Sequence, residues 1–406
     1  MIRFHCPSCG MALSASAIAC AYIVMICGEG VAQQGRSTRP KPAECYISAL
    51  QHLARGDYKE AHEAARQANK LRPNYKPYEQ LLAKLEPIAQ RDKLRDYALA
   101  AGKDDEVSVE LLARYLKKEA KDDESKAWLL YCWVTDRIAY DVKSFLSGDY
   151  TKKDYSPAGV LKQRLAVCDG YSKLFTAVGK EMGLDAVSIA GHAKGFGYRE
   201  GVELDDKLGH AWNAVKIGDK WRPIDATWGA GSVDGEQFKK AFNDFYFFPP
   251  PQAFILSHYP KKPEEQFLDT AIALDQFKSW RKVAIRPLLK CEFALSAIQD
   301  KLTHNIRIVE AFPVACPIKV QAPVEQELDS RKRYTIKVES LVLSDMAILH
   351  AGKWYFSTKR GDAFTCTFRG MEGEIMVLIK PFGQKEYMSL LKYQGVKGGD
   401  PVRATK

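Results

Sequence analysis

The architecture follows from two stretches of the chain, VCDGYSKLFTAVGKEMGL at residues 167–184 and GHAWNAVKIGDKWRPIDATWGAG at residues 209–231. In the first, apolar residues recur every three or four positions from Tyr171 to Met182, and this spacing predicts a helix that begins directly after Cys168. The dipole and free amides of a helix N-terminus stabilise a thiolate and can hold a developing oxyanion. Cys168 is therefore a candidate nucleophile, although cysteines are also often simply buried.

The second stretch predicts a β-hairpin that brings a histidine and an aspartate together. Two strands, His210–Ile217 and Lys220–Trp228, are joined by the two-residue loop Gly218-Asp219. In the register that this loop sets, the side chains of His210 and Asp225 are diagonal neighbours on one sheet face, with Cβ atoms within about 7 Å. Asp225 can then hold the imidazole in place, whereas a loop of odd length would put the two residues on opposite faces.

Three residues offer alternatives to this pair. His192 is another candidate base, but it lies in the glycine-rich stretch Ala190–Gly195, which predicts a loop, and no carboxylate stands at a matching register. Asp234 and Asp244 are the corresponding alternatives for the acid. We expect the hairpin pair to serve the thiol, because a thiol nucleophile needs a base that a third group orients.

These motifs resemble the core of the transglutaminase-like family, a papain-related superfamily that uses cysteine, histidine and aspartate in this chain order. The similarity extends upstream to WVTDRIAYD at residues 133–141 and downstream to FFPPPQAFILSHYPKKPEEQFLD at residues 247–269. There it resembles the kyphoscoliosis-peptidase and cytokinesis-protein branch, and it covers the chain from Val107 to Arg286. The resemblance implies an α+β fold in which the helix carrying Cys168 packs on an antiparallel sheet.

The resemblance also implies a role for each residue: Cys168 is the nucleophile, His210 the general acid/base and Asp225 the orienting acid. Members of the family hydrolyse amides, transfer acyl groups to amines or act as scaffolds without catalysis. Our leading hypothesis is a cysteine peptidase, amidase or transglutaminase acting on a protein or peptide substrate. The alternative is a catalytically silent adaptor that binds proteins through its outer domains. Side chains carry the chemistry, so we expect no cofactor and no metal, and no residue matches the side-chain oxyanion donor of papain-like enzymes.

Length and composition indicate several globular domains. The chain has 406 residues, of which 46% are hydrophobic, enough for more than one core. Its net charge of +10 comes from lysines and arginines scattered among nearly as many acids, so we expect solvated surface and no nucleic-acid partner. We divide the chain into residues 1–32, a signal peptide or apolar segment; 33–42, a linker; 43–90, a helical hairpin; 100–286, the transglutaminase-like domain; 287–395, an all-β domain; and 396–406, a flexible tail.

The first residues permit two main interpretations. An apolar run from Met11 to Cys27, followed by small residues, is typical of a secretory signal peptide, whereas Cys6 and Cys9 form half of a zinc knuckle. We favour export, to the periplasm, the cell surface or the medium, over a cytoplasmic location. Membrane contact is expected only if the segment stays uncleaved as a helix or is anchored by lipid at Cys20.

The segments on either side of the core carry different patterns. LARGDYKEAHEAARQANKLRPN, at residues 53–74, resembles one tetratricopeptide unit, with a break at Gly56-Asp57 and a third helix ending before Pro87. One unit cannot bury its own face, so we expect a hairpin packed on its neighbour, with protein binding as the alternative. From Phe293 to Tyr393, short alternating runs separated by turn residues predict a β-sandwich-like domain that binds a partner or is purely structural.

Six cysteines follow the linker, at positions 45, 132, 168, 291, 316 and 366. If Cys168 stays free, an odd number remains, which argues against a full set of disulfides. One bridge between Cys316 and Cys366 is compatible with export, and simple buried thiols are the alternative.

Overall fold

The computed structural model describes residues 40–201 and 209–397. Its helices, numbered in chain order, are α1 Pro42–Arg55, α2 Tyr58–Leu71, α3 Lys76–Leu99, α4 Val109–Lys117, α5 Asp123–Arg137, α6 Val142–Ser147, α7 Pro157–Gln163, α8 Cys168–Glu181, α9 Ala226–Ala230, α10 Pro251–Phe254, α11 Leu274–Ser279, α12 Ile285–Lys290 and α13 Leu295–Thr303. Among these described helices, none is both long and apolar enough to cross a membrane.

The strands fall into two groups along the chain. The first group is β1 Ala139–Tyr140, β2 Leu165–Ala166, β3 Ala186–Ala193, β4 Gly209–Ile217, β5 Lys220–Ile224, β6 Gly231–Asp234, β7 Gln237–Lys240 and β8 His258–Pro260. The second group is β9 Glu310–Ala311, β10 Lys319–Gln321, β11 Glu327–Asp329, β12 Arg333–Glu339, β13 Leu343–His350, β14 Lys353–Phe356, β15 Thr358–Arg360, β16 Ala363–Arg369, β17 Gly373–Pro381 and β18 Met388–Val396.

The chain divides into two compact units. One runs from Ala89 to Arg286 and includes Ala294–Ile308; the other comprises, of the described residues, 40–88, Pro287–Phe293 and 309–397. The predicted helical hairpin and the predicted all-β segment therefore fall in the same unit. The predicted thiol site lies wholly in the unit that begins at Ala89.

In that unit, α8 packs between other helices and an antiparallel sheet of order β5-β4-β3-β8. The apolar face of α8, from Tyr171 to Met182, is buried with the side chains of α5, among them Trp128, Tyr131 and Trp133. The predicted helix after Cys168 is confirmed, and the arrangement is the α+β architecture that the resemblance implies.

A small polar network fastens α8 to the sheet. The Ser172 hydroxyl donates to the Trp212 carbonyl at 2.8 Å. The Asn213 amide donates to the Ser172 carbonyl at 3.0 Å and to the Thr176 hydroxyl at 2.9 Å. Asn213 and Ser172 are both about 1% exposed, so these bonds satisfy groups that would otherwise be buried without partners. This network supplies the contact between helix and sheet that periodicity alone did not predict.

The loop predicted around His192 is wrong in its first part. Residues Ala190 to Ala193 form the end of the central strand β3. The glycine in this strand has a structural purpose: a Cβ atom on Gly191 would lie 2.2 Å from the Tyr259 carbonyl oxygen and 2.4 Å from the Trp212 ring. Glycine is therefore required for β8 and β4 to flank β3 closely.

The other unit contains the helical hairpin and the second group of strands. Helices α1 and α2 meet at Gly56, whose φ of 81° suits glycine, and the Tyr58 hydroxyl donates to the Ala315 carbonyl at 2.8 Å. The break at Gly56-Asp57 is confirmed. The predicted end before Pro87 is wrong, because α3 continues through Pro87 to Leu99. Buried residues on both sides of that proline, Leu85 and Leu94 among them, offset the hydrogen bond that it cannot make.

Two sheets make up most of this unit. Their orders are β10-β12-β16-β15 and β11-β18-β17-β13-β14, with β9 paired to β18, and β13 contacts β16. Inward side chains such as Ile336, Ile348 and Val377 are fully buried. The sheet-rich C-terminal region is confirmed, although the start of the range predicted to be all-β is helical in α12 and α13. Short apolar helices cannot be told from strands by periodicity alone.

Several predictions lie outside the described residues: the apolar segment with Cys6, Cys9 and Cys20, and most of the C-terminal tail. Export and membrane contact therefore stay predictions. All six cysteines within the described chain are free thiols, so Cys316 and Cys366 are not bridged.

Candidate active site

Cys168 is the first residue of α8, and it is half-buried. The residue before it, Val167, offers no side-chain cap, so the first amides of the helix remain directed out of its end. The Cys168 side chain lies within hydrogen-bonding reach of His210. The sheet thus meets the helix start where the predicted nucleophile stands.

His210 reaches the predicted acid from the other side. Its Nε2 lies 2.8 Å from Asp225 Oδ2, and the His210 side chain is only 8% exposed while that of Asp225 is fully buried. Because Asp225 occupies Nε2, the ring nitrogen left for the Cys168 thiol is Nδ1. The predicted contact between His210 and Asp225 is confirmed; their catalytic roles stay predictions.

The backbone that brings His210 and Asp225 together differs in part from the predicted hairpin. The two-residue loop and its register are confirmed, with Ile217 opposite Lys220 and Asn213 opposite Ile224. The second strand, however, ends at Ile224, and the next residues form α9. Asp225 is the N-cap of α9, and its Oδ1 accepts from the Trp228 amide at 2.9 Å. The sequence Asp-Ala-Thr-Trp fits a capping aspartate at least as well as a strand, and the capping interaction prevails.

A second histidine, which sequence reasoning missed, completes the environment of the carboxylate. His258, the first residue of β8, places Nε2 3.1 Å from Asp225 Oδ2, and it is fully buried. Its Nδ1 lies 2.8 Å from the Ser257 hydroxyl. A carboxylate only accepts, so Nε2 of His258 carries the proton and Nδ1 accepts from Ser257. A lone histidine inside the apolar run FILSHYP was the available signal, since such a side chain needs buried partners.

Charges in the site are set by opposing influences. Burial alone lowers the pKa of His210, but the charge and hydrogen bond of Asp225, with a contribution from Cys168, raise that pKa well above its usual range. Burial alone raises the pKa of Asp225, but its contacts with the two histidines bring it well below its usual range. At neutral pH the two residues therefore form a buried imidazolium–carboxylate pair.

His258 behaves in the opposite way. Burial lowers its pKa to about 4, because the hydrogen bond to Asp225 offsets burial only in part and the charge of His210 adds to the lowering. His258 is therefore neutral at neutral pH. Two histidines share one carboxylate oxygen, and only one of them is charged.

The rival residues lie elsewhere. His192 opposes Gly209 on β4, one position from the Gly191–His210 pair, so its side chain points to the opposite face of the sheet. Its Nδ1 is buried without a hydrogen-bond partner among the described residues. Asp234 pairs with Lys239 on the exposed hairpin of β6 and β7, and Asp244 pairs with Arg286 at 2.6 Å. Neither acid contacts a histidine within the described part of the chain.

An aromatic cleft of about 430 Å³ opens beside His210. Its aromatic walls are Tyr140, Phe145, Phe196, Trp228, Phe238 and Tyr246. Two phenols lie near the thiol: burial and the proximity of Cys168 raise the pKa values of Tyr140 and Tyr150. Both therefore stay protonated donors, and they are candidates for the side-chain oxyanion donor that the sequence did not reveal.

Within residues 40–201 and 209–397, one cluster has the chemistry to bind a metal ion: His210, Asp225 and His258, whose ligand atoms lie within 4.8 Å of one another. Their spacing follows hydrogen bonds of 2.8 and 3.1 Å to a single oxygen. Tetrahedral zinc ligands stand about 3.3 Å or more apart, so a metal would require these side chains to separate. Mutual hydrogen bonding accounts for the cluster as it stands.

Comparison with known proteins points to one family. Residues 110–226 match the model of the Transglutaminase-like superfamily. Kyphoscoliosis peptidase of Mus musculus is 34% identical over 166 residues, which are 40% of this chain and 25% of that protein. Cytokinesis protein 3 of Schizosaccharomyces pombe is 35% identical over 65 residues, 16% of this chain and 7% of that protein. A crystal structure of a TGase is 17% identical with a TM-score of 0.24, covering 40% of this chain and 42% of that one.

A helix that starts with a cysteine and packs on an antiparallel sheet bearing the histidine, with the aspartate directly after the neighbouring strand, defines the transglutaminase and cysteine-protease class of fold. Within that class, residues 110–226 match a transglutaminase-like domain, and the similarity to kyphoscoliosis peptidase and cytokinesis protein 3 supports that branch of the superfamily. The chain spans about a quarter of the length of the kyphoscoliosis peptidases that it matches.

Proposed function

We propose that this chain is a cysteine-dependent acyl-transfer enzyme that acts on amide bonds of proteins or peptides. One observation carries the proposal: the side chains of Cys168, His210 and Asp225 form a continuous line of contacts that ends in a fully buried carboxylate. A buried carboxylate holds the imidazole in one orientation and stabilises its protonated form. The imidazolium in turn favours the thiolate.

In the first step, the Cys168 thiolate attacks the carbonyl carbon of the amide, and a C–S bond forms. The oxyanion then collapses, the C–N bond breaks, and His210 delivers its proton to the leaving amine. The products of this step are a thioester on Cys168, a free amine and a neutral His210. The amides at the start of α8 and the phenols of Tyr140 and Tyr150 are the nearby donors for the oxyanion.

In the second step, water or a primary amine attacks the thioester carbonyl and passes a proton to His210. The C–S bond breaks and the thiolate–imidazolium pair returns. Water gives hydrolysis, and an amine such as a lysine side chain gives transamidation. The cleft beside His210 supports a peptide substrate, since its aromatic walls can bury an apolar side chain close to that imidazole.

The test uses the full chain and an unfolded protein such as reduced, alkylated casein, with and without a fluorescent primary amine. Hydrolysis of peptide bonds creates new N-termini, hydrolysis of side-chain amides releases ammonia, and transamidation attaches the dye. We expect one of these products from the wild type and none from Cys168→Ala. Cys132→Ala is the matched control, because Cys132 is a buried core thiol that should leave the products unchanged.

Equal product from wild type and Cys168→Ala would contradict the proposal. So would the absence of product together with alkylation of Cys168 that is slow at neutral pH and insensitive to His210→Ala.

A further inference from the structure

We propose that His258 is a positioning residue for this reaction: its Nε2–H holds the Asp225 carboxylate in the orientation that His210 requires. The inference rests on the proposed function, because it assigns His258 a role only through the acid/base work of His210. It adds a fourth member, on β8, to the line formed by Cys168, His210 and Asp225.

The first argument is that burying an imidazole in this space costs desolvation free energy that an apolar ring would not cost. The His258 side chain is fully buried and stacks on the Phe254 ring, with 3.9 Å between the ring centroids. The centroid of the Trp228 ring lies 4.4 Å from that of His258. An apolar ring would pack there without any polar group to desolvate. Both nitrogens of His258 are instead satisfied, Nδ1 by Ser257 and Nε2 by Asp225. Both ring nitrogens of His258 therefore make hydrogen bonds, and Nε2 makes its bond to the Asp225 carboxylate.

The second argument comes from the donors around Asp225. Three elements of the fold each contribute one: the Trp228 amide of α9 binds Oδ1, while His210 of β4 and His258 of β8 both bind Oδ2. Donors from three directions fix the plane of the carboxylate. Oδ2 then stays in place for the imidazole even when the ring of His210 moves.

The third argument concerns the moment when His210 loses its proton. At that step Asp225 loses its cationic partner in a fully buried position, where an unpaired carboxylate is costly. The donor from His258 does not depend on that proton transfer, since its Nε2 faces the carboxylate whether or not His210 carries a charge. It keeps the carboxylate ionised and aligned until His210 is protonated again.

The fold brings His258 to this position through a narrow contact. Strand β8 runs beside β3 at Gly191, which in turn opposes His210 on β4. Only glycine leaves room at that crossing, because any Cβ at position 191 would lie 2.2 Å from the Tyr259 carbonyl oxygen. The spacing of the two histidines around one carboxylate thus follows from the sheet.

His258 is poorly suited to act as the base itself. It is fully buried and does not line the cleft, and its ring centroid lies 5.5 Å from that of His210. The ionisable groups that face it are Asp225, His210 and, at 6.2 Å between ring centroids, Tyr246. A positioning role is what these contacts permit.

The experiment measures the rate of Cys168 alkylation by iodoacetamide between pH 4.5 and 9, with peptide mapping to isolate Cys168. His258→Phe keeps the ring and removes the donor, while His258→Gln keeps an N–H donor at a similar reach. His192→Phe is the matched control, because that histidine lies on the opposite face of the same sheet. Thermal unfolding of each variant checks that the domain is folded.

We expect His258→Phe to slow alkylation at pH 6 about tenfold, the lower end of the loss seen when the partner that orients a metal-binding imidazole is removed. Its pH midpoint should move upward by about one unit, because the thiolate loses support from a well-held imidazolium. His258→Gln should recover most of the rate, and His192→Phe should match the wild type.

The inference would be overturned if Cys168 in His258→Phe were alkylated at the wild-type rate and with the wild-type pH midpoint. It would also be overturned if alkylation in His258→Gln were as slow as in His258→Phe. If His258→Phe does not fold, the comparison of His258→Gln with Ser257→Ala decides: Ser257→Ala removes the hydrogen bond that holds the other ring nitrogen of His258 and should slow alkylation more than Gln does. The reverse order would overturn the inference. Insensitivity of Cys168 to His210→Ala would count against the proposed function instead.

Discussion

Cys168 and three thiols of the other unit, Cys291, Cys316 and Cys366, are the same residue type in opposite surroundings. Cys168 is half-buried at a helix start, in reach of a charged imidazole. Cys291, Cys316 and Cys366 are buried, and burial raises the pKa of each, that of Cys291 to about 12. Reactivity is therefore decided by the neighbours of a thiol, and the two regions can be tested against each other in one labelling experiment.

The largest effect is expected at His210. In His210→Ala, alkylation of Cys168 at pH 7 should fall about 1,000-fold, or about 4 kcal/mol, because the thiolate loses its cationic partner. The rates of Cys291, Cys316 and Cys366 should not change. Mass spectrometry of tryptic peptides gives each rate separately and also resolves the four cysteines near the N-terminus. A Cys168 alkylation rate within about threefold of the wild-type rate would contradict the prediction that His210 makes this thiol more reactive than the buried ones.

The second prediction changes the surroundings of a buried thiol, Cys366, and leaves those of Cys168 unchanged. Ile336 is fully buried on β12, directly opposite Cys366 on β16. Ile336→Ala should lower the free energy of unfolding by about 3 kcal/mol through the cavity it leaves. Cys366 should then be alkylated faster, because the strands around it open more often, while the Cys168 rate stays constant.

Urea unfolding and peptide mapping measure the two quantities for Ile336→Ala. Thr335→Ala, on the exposed face of the same strand, is the control. A parallel rise in the Cys168 rate would mean that the two regions do not respond independently.

A third effect concerns the scaffold near Cys168. Asp141 caps α6, accepts from Lys153 and Tyr155, and is almost fully buried. Burial alone raises the pKa of Asp141, but Lys153, Tyr155 and Ser144 together lower it to about 2. Because the folded pKa lies below the unfolded value, the stabilisation is complete above about pH 4 and is lost as the pH falls towards 2.

Asp141→Asn should therefore lower the free energy of unfolding by about 2 kcal/mol at pH 7, since hydrogen bonds to a buried charge are lost. The difference from the wild type should shrink as the pH approaches 2. Urea titrations at several pH values measure it. A difference that is constant down to pH 2 would show that the charge of Asp141 is not its source.

The smallest expected effect is on the free energy of unfolding and concerns α5, whose side chains form much of the core of the same unit. Asp122 caps α5, and its Oδ1 accepts from the Ser125 amide at 2.7 Å. Asp122→Ala should lower the free energy of unfolding by about 1 kcal/mol, and the Cys168 rate should be unchanged. Asp123→Ala is the control, because Asp123 pairs with Lys126 at the surface and caps nothing. Equal losses in the two variants would contradict a capping role.

Local signals in the chain predicted much of the site. Apolar spacing placed the start of α8 directly after Cys168, one residue from where it begins, and the loop Gly218-Asp219 set a register that the structure keeps as far as Ile224. Local rules failed where two of them competed. At Asp225 a capping aspartate prevailed over strand continuation, and at Pro87 buried side chains kept α3 continuous. Neither outcome can be read from a short window, because each depends on what packs against the segment.

The order of cysteine, histidine and aspartate, the helix at the thiol and the hairpin register are properties of the sequence, because they depend on spacing within a few residues. The position of α8 on the sheet and the arrival of His258 at Asp225 are properties of the tertiary structure. The first depends on hydrogen bonds between Ser172 and Asn213, and the second on a strand that passes Gly191. Such contacts join residues far apart in the chain, and only the packed fold determines which buried groups satisfy one another.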